Sequence, residues 1–301
     1  MLPGLLQQGR RLGPPTHFRR ELADFFGRIT GRRGRYGVVR FLCLLAIGGI
    51  WSTAASAGQV TLTYVGYLVG VPVLSLTATV TVPVNGSAAT AVPGDGAYHV
   101  NATMQSSGNL AVLYPYQAQL QSSGKLLATR PTPIQFQSVQ TIWQKRETVA
   151  LKYDSAGQVT IMADPLTRQA QQAVTEGYAN GTMDPTSAVL ALVGAFSQRN
   201  TCGGTYAVFD GVRRYDIAVA QTGQANVNML QQSFYQGPAT ECQATPRLVG
   251  GFQQTAVQSQ LYPQSARLWL ARPIKNFPAV PVRMAAQNAF GEMVLDLVNM
   301  Q

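Results

Sequence analysis

The chain has 301 residues, 46% of them apolar and 12% charged, with a formal net charge of +10. Nine arginines and no lysine lie in residues 1–57 against Glu21 and Asp24, a net +7, whereas residues 58–301 carry only +3. The basic balance therefore belongs to the N-terminal segment. A nucleic-acid-binding domain, which needs a basic stripe on its folded surface, is excluded, and composition excludes collagenous and coiled-coil classes.

The first element in chain order is a leader. Phe41–Trp51 is an apolar run of eleven residues that follows Arg40 and an arginine cluster, and Ala55-Ser56-Ala57 supplies small residues at the A-x-A spacing. A positive flank, a short apolar centre and a small-residue exit predict a secretory signal peptide cleaved after Ala57. The run is shorter than the ~20 residues a spanning helix needs. Arg32-Arg33 lacks the apolar pair of a twin-arginine signal, and Cys43 lacks the small residue that precedes a lipidated cysteine. The expected organisation is residues 1–57 as extension plus leader, the only part to meet a membrane, and residues 58–301 as one periplasmic β-rich domain.

Period-2 alternation dominates the rest. Leu74, Leu76, Ala78, Val80 and Val82 share one face of a strand whose other face carries Ser75 and three threonines; Tyr98, Val100, Ala102 and Met104 alternate with His99, Asn101, Thr103 and Gln105. Strands with one apolar and one polar face build an antiparallel sheet with a wet side. Turn signals at Val69–Pro72, Asp154–Gly157 and Asp210-Gly211 join residues 59–68 to 73–82, 147–153 to 159–162, and 206–209 to 212–219. Residues 133–144, 247–258, 267–271, 280–286 and 293–298 also read as extended. The predicted fold is mainly β, a curved antiparallel sheet or half-open barrel of about 11–12 strands.

One main helix interrupts the strands at residues 184–199. Asp184 is a helix N-cap and Pro185 suits the first helical position, after which Ala188, Val189, Leu192, Val193 and Phe196 form an apolar stripe. Asp164-Pro165 repeats the opening signature before a Gln-rich segment, where a short helix or ordered loop is expected. With Cys43 removed, Cys202 and Cys242 remain as an even pair in an exported chain, and a structural disulfide is expected. It would close a loop of about 40 residues, worth about 4 kcal/mol in chain entropy.

Catalytic chemistry has little to stand on. His99 is the one histidine after the leader, no Ser lies in a G-x-S-x-G elbow, and no CxxC, His pair or acidic calcium loop occurs. No catalytic residue, metal site or cofactor is expected. Arg213, Tyr215, Trp143 and Trp269 are the candidate ligand-binding residues. Alternation places Arg213 on the face of Tyr215, Ile217 and Val219, where an arginine needs an anionic partner. Trp143 and Trp269 belong to a set of strand aromatics that could line a concave surface.

The order of features resembles a known family. Leu62-Thr-Tyr-Val-Gly-Tyr-Leu-Val-Gly70, Asp184-Pro-Thr-Ser-Ala188, Val208-Phe-Asp-Gly-Val-Arg-Arg-Tyr215, Val249-Gly-Gly-Phe252 and Pro281-Val-Arg283 are similar to the exported Gram-negative proteins grouped as domain of unknown function 3108. The resemblance implies a periplasmic β-rich domain and brings no assigned catalytic residues. In outline the architecture is also similar to the lipoprotein carriers of the outer-membrane sorting route, though fold does not imply function. The expected function is a non-enzymatic carrier or assembly module. It would take an apolar or amphipathic envelope molecule or a partner segment. The alternatives are an envelope polysaccharide hydrolase using a carboxylate pair and a protein–protein adaptor.

Overall fold

The computed structural model describes residues 56–85, 92–127, 129–228, 233–252, 264–275, 277–288 and 291–301. The leader Phe41–Trp51 and the whole extension before it lie outside them. The strands, in chain order, are β1 (Ser56–Leu68), β2 (Val71–Asn85), β3 (Val92–Pro93), β4 (Gly96–Ser106), β5 (Tyr116–Leu127), β6 (Arg130–Ile142), β7 (Lys145–Tyr153) and β8 (Val159–Asp164). After the helices come β9 (Gly203–Phe209), β10 (Arg214–Val227), β11 (Gly237–Gly250), β12 (Ala266–Ala271), β13 (Val280–Asn288) and β14 (Gly291–Met300). The helices are α1 (Gly108–Leu113), α2 (Arg168–Thr175) and α3 (Pro185–Arg199).

All the strands belong to one antiparallel sheet with the order β8-β7-β6-β5-β4-β2-β1-β14-β13-β12-β11-β10-β9, and β3 pairs with β2 off this path. β1 and β14 meet in the middle, so the sheet is two meanders joined by the first and last strands. Its two edges, β8 and β9, do not pair with each other. The segment before α3 spans the gap instead: Met183 donates to Ala207 O and accepts from Phe209 N, and Gly181 N reaches Gly157 O in the turn after β7. The barrel is therefore left half-open, as the alternation predicts, with a strip of irregular chain covering the exposed edges.

The strand count exceeds the expected 11–12. β5 was not anticipated because its inward positions include Ala118, Ser122 and Gly124, too small or too polar to read as an apolar face. β11 covers Gly237–Gly250 rather than 247–258, because it begins in a Thr/Gln-rich stretch; residues 253–258 lie outside the described ones. The short helix α1 follows Ser107, and α2 starts after Thr167, whose hydroxyl accepts from Ala170 N, not at Asp164-Pro165.

α3 lies against the inner face, its start tied to β4 and β5 and its second half packed on β10–β12. Asp184 caps it as predicted, accepting from Thr186 N and Ser187 N at 3.0 Å, and Asn200 closes it in the left-handed conformation. Leu192 and Phe196 pack on Val219, Cys242, Leu268 and Leu270 of β10–β12. Cys202, just past the helix, is disulfide-bonded to Cys242 on β11, with the Cα atoms 6.0 Å apart. Gly194 allows the helix to approach the β5–β6 turn, since a Cβ there would lie 2.6 Å from Thr129 O.

Candidate ligand-binding cavity

The helix does not fill the interior. Leu192 and Phe196 are buried on the C-terminal meander and Leu190 packs on Tyr98, Val100 and Leu126 of the N-terminal one, while Val189, Leu190 and Val193 also line a space left beside the helix. The strand alternation predicted for β2 and β4 supplies the opposite wall. Leu62, Ala78 and Ala102 are neighbours in register on β1, β2 and β4, and all three point inward. Val60, Val80 and Val100 form the next row. Val80, Val82 and Val100 meet Leu190 of the helix, but the alanines beside them are too small to fill the rest, and a cavity of about 380 Å³ remains. That is within the usual size of small-molecule sites, about 300–1,000 Å³.

The chemistry of the wall is one-sided. Among the lining side chains only Gln59, Thr129, Thr186, Ser197 and the Tyr64 phenol carry polar atoms, and none is charged. Tyr64 spends its hydroxyl on Pro281 O at 2.8 Å, which holds the 277–281 segment against the cavity. Burial pushes that phenol above its ordinary value, so it stays neutral. An apolar chain entering this space would leave no buried charge unpaired.

A buried polar cluster fixes the helix beside the cavity. The Asp184 carboxylate accepts from Ser122 Oγ at 2.9 Å and Ser187 Oγ at 2.5 Å, and Tyr98 OH lies 2.7 Å from Ser187 Oγ. Because the Ser187 proton points at Asp184, Tyr98 must donate to Ser187. Burial is the main reason its phenol rises to about 12; the Asp184 charge adds to this and the Ser187 bond opposes it. The cluster has no histidine, and its carboxylate is saturated by donors, so its visible work is to anchor α3.

The four sequence-predicted binding residues do not converge on the cavity. Arg213 is not on an apolar strand face: Asp210 accepts from Val212 N and Arg213 N, lengthening the turn so that β10 begins only at Arg214. The Arg213 Nε pairs with Asp210 at 2.8 Å. Tyr215 is half-buried, with its ring edge-on to Phe252 at 6.4 Å between centroids. Trp269 is buried on β12 beneath the Arg267 guanidinium, 5.0 Å from its ring centroid. Trp143 sits exposed in the β6–β7 turn. The cavity walls were within reach of sequence reading, since the inward faces of β2 and β4 were identified. The missed signal is that those faces are Ala- and Val-rich beside a single helix, a combination too small in volume to close.

Four of the described carboxylates are spread out and engaged by arginines. Asp216 is held between Arg214 and Arg247, Asp296 by Arg283, and Glu241 and Glu292 by Arg267. Among the described residues no group of three or more His, Cys, Asp or Glu could hold a metal ion, and no helix is long and apolar enough to cross a membrane. His99 is exposed on the outer face, in a polar groove with Asn101, Gln121 and Lys152.

The family model described as protein of unknown function DUF3108 matches residues 60–298. The chain belongs to the DUF3108 family. That match takes in every strand from β1 to β14 and both halves of the cavity. No curated protein matches the chain. Among solved structures, a β-barrel-like DUF1849 protein from Brucella abortus is 12% identical with a TM-score of 0.43, covering 81% of this chain and 97% of its own. A DUF1329 family protein from Desulfovibrio piger is 8% identical with a TM-score of 0.19, covering 83% of this chain and 86% of its own.

Proposed function

We propose that this DUF3108 member is an exported, non-catalytic carrier that holds the hydrocarbon part of an apolar or amphipathic envelope molecule between α3 and the β1–β2–β4 wall. The observation that carries the reading is the uncharged cavity of about 380 Å³. Burying ten methylenes there is worth roughly 8 kcal/mol before the costs of association and ordering. The leader and the even cysteine pair support an oxidising compartment outside the cytoplasm.

The test is purification from the periplasm followed by native mass spectrometry. The expected result is a processed chain beginning at Gly58 with a co-purifying lipid-like mass, and saturable binding of a hydrophobic dye that a fatty acid displaces. A folded protein that binds neither dye nor acyl chain would overturn the carrier reading.

A further inference from the structure

The sheet displays a second apolar feature, away from the cavity. The β1–β2 turn, α1 between β4 and β5, and the β6–β7 turn all leave the same end of the sheet, because antiparallel hairpins alternate ends. They touch: Ser107 N donates to Val73 O at 2.9 Å, Trp143 N donates to Pro115 O at 3.2 Å, and the Tyr114 and Trp143 rings meet edge-on at 6.2 Å. Together they present Val69 (78% exposed), Val112 (83%), Leu113 (69%) and Trp143 (58%) to solvent.

Backbone conformation makes this display hard to dismiss as incidental. Val69 has φ 49° and Trp143 φ 50°, left-handed values that β-branched and bulky residues avoid. Asn or Gly would form the same hairpin turns without strain. The Asp154–Gly157 turn at the opposite end does use ordinary turn chemistry, with Asp154 accepting from Ala156 N and Gln158 N and Gly157 at φ 76°. Thr129, at φ 66° in the β5–β6 turn, shows that left-handed backbone also occurs at the opposite end. The described left-handed residues that are both apolar and well exposed, Val69 and Trp143, lie at this one, and such outliers cluster at functional sites.

We infer that this end of the sheet is a membrane-docking tip that inserts shallowly into a lipid bilayer interface. The most exposed side chains are the aliphatic ones of Val69, Val112 and Leu113, with Tyr114 and Trp143 beside them and Lys145 and Arg146 beginning β7. Aliphatics, then aromatics, then cations is the order of chemistries met from acyl chains to headgroups. Two acids lie near: Glu147 follows Arg146 on β7, and Glu292 is engaged by Arg267 at 2.6 Å. The side chains project from three separate loops, a shape suited to a deformable lipid surface. The inference does not depend on the cavity holding a ligand.

The chain has three tryptophans, Trp51 in the leader, Trp143 in the tip and the buried Trp269. The experiment uses the processed chain from Gly58, which lacks the leader and Trp51, with vesicles of phosphatidylcholine and a minor share of phosphatidylglycerol, brominated in the acyl chains. Trp143 emission is expected to shift to the blue and be quenched, and the additional substitution Trp143→Phe removes that signal. The double variant Val112→Asp/Leu113→Asp, at exposed positions where the urea midpoint is expected to stay unchanged, should need roughly tenfold or more lipid for the same quenching. Unchanged Trp143 emission with vesicles, or equal quenching in the double variant, overturns the inference. So does a shift that appears only with a protein partner.

Discussion

Ser122, in the middle of β5, donates a 2.9 Å hydrogen bond to the carboxylate of Asp184, which caps α3. A serine pointing inward from a sheet is thus the acceptor platform's counterpart for a helix start 62 residues later. The same carboxylate receives Ser187 Oγ and two backbone N–H groups, and the Tyr98 hydroxyl completes the chain of donors. One wall of the cavity is therefore positioned by a cluster in which Asp184 and Ser187 are fully buried.

Asp184→Ala should cost about 3 kcal/mol, the sum of a lost N-cap and of buried hydroxyls left without their acceptor. Ser122→Ala should cost about 1 kcal/mol, since Asp184 keeps its other donors. Urea denaturation checks both, as a lower midpoint at unchanged slope. Dye binding should weaken more in Asp184→Ala than in Ser122→Ala, because the helix start forms part of the cavity rim.

The sequence was most readable where physics is local. Asp184-Pro185 predicts the helix start because capping needs only neighbouring atoms, and the period of β2 and β4 predicts which side chains face inward. β5 escaped because Ser122 and Gly124 face the interior for reasons that lie elsewhere in the chain. Ser122 meets Asp184, and a Cβ on Gly124 would lie 2.7 Å from the Tyr98 ring. Arg213 was misplaced by one effect of the same kind, the Asp210 side chain extending its turn. The cavity is a deficit of volume between two elements, and no single residue announces it.

Cys202 and Cys242 tie the end of α3 to β11, behind the helix face that packs on β10–β12. Cys202→Ser should lower stability by about 2–5 kcal/mol. In denaturant without reductant, neither thiol of the protein purified from an oxidising compartment should react with a maleimide. Stoichiometric labelling of both would refute the bond.

Filling the cavity should separate binding from stability. Ala78 lies between Leu62 and Ala102 in register and points into the empty space, so Ala78→Phe places a ring where a ligand would sit. Acyl-chain binding should fall at least about tenfold, with stability changed by less than about 1.5 kcal/mol because the space is already present. The adjacent residue Thr77 faces the polar side, and Thr77→Val should leave binding unchanged. Loss of binding in both variants would point to a disturbed sheet.

Acid sensitivity should trace to Asp216 on β10. Burial alone would raise its carboxyl, but hydrogen bonds and charge from Arg214 and then Arg247 outweigh burial and hold it below the ordinary 3.8. A folded value below the unfolded one means the native state releases this proton more readily. Its stabilising contribution is then complete above the unfolded value and is lost as pH falls below 3.8 through the folded one. Asp216→Asn should cost about 2 kcal/mol at neutral pH, and the gap to the parent should narrow steadily in acid. Arg247, whose side chain is 77% exposed, should matter less than Arg214, at 17%. Urea midpoints of parent, Asp216→Asn, Arg214→Leu and Arg247→Ala measured across the acid range decide this. A gap between parent and Asp216→Asn that does not close in acid would assign the acid sensitivity to other carboxylates.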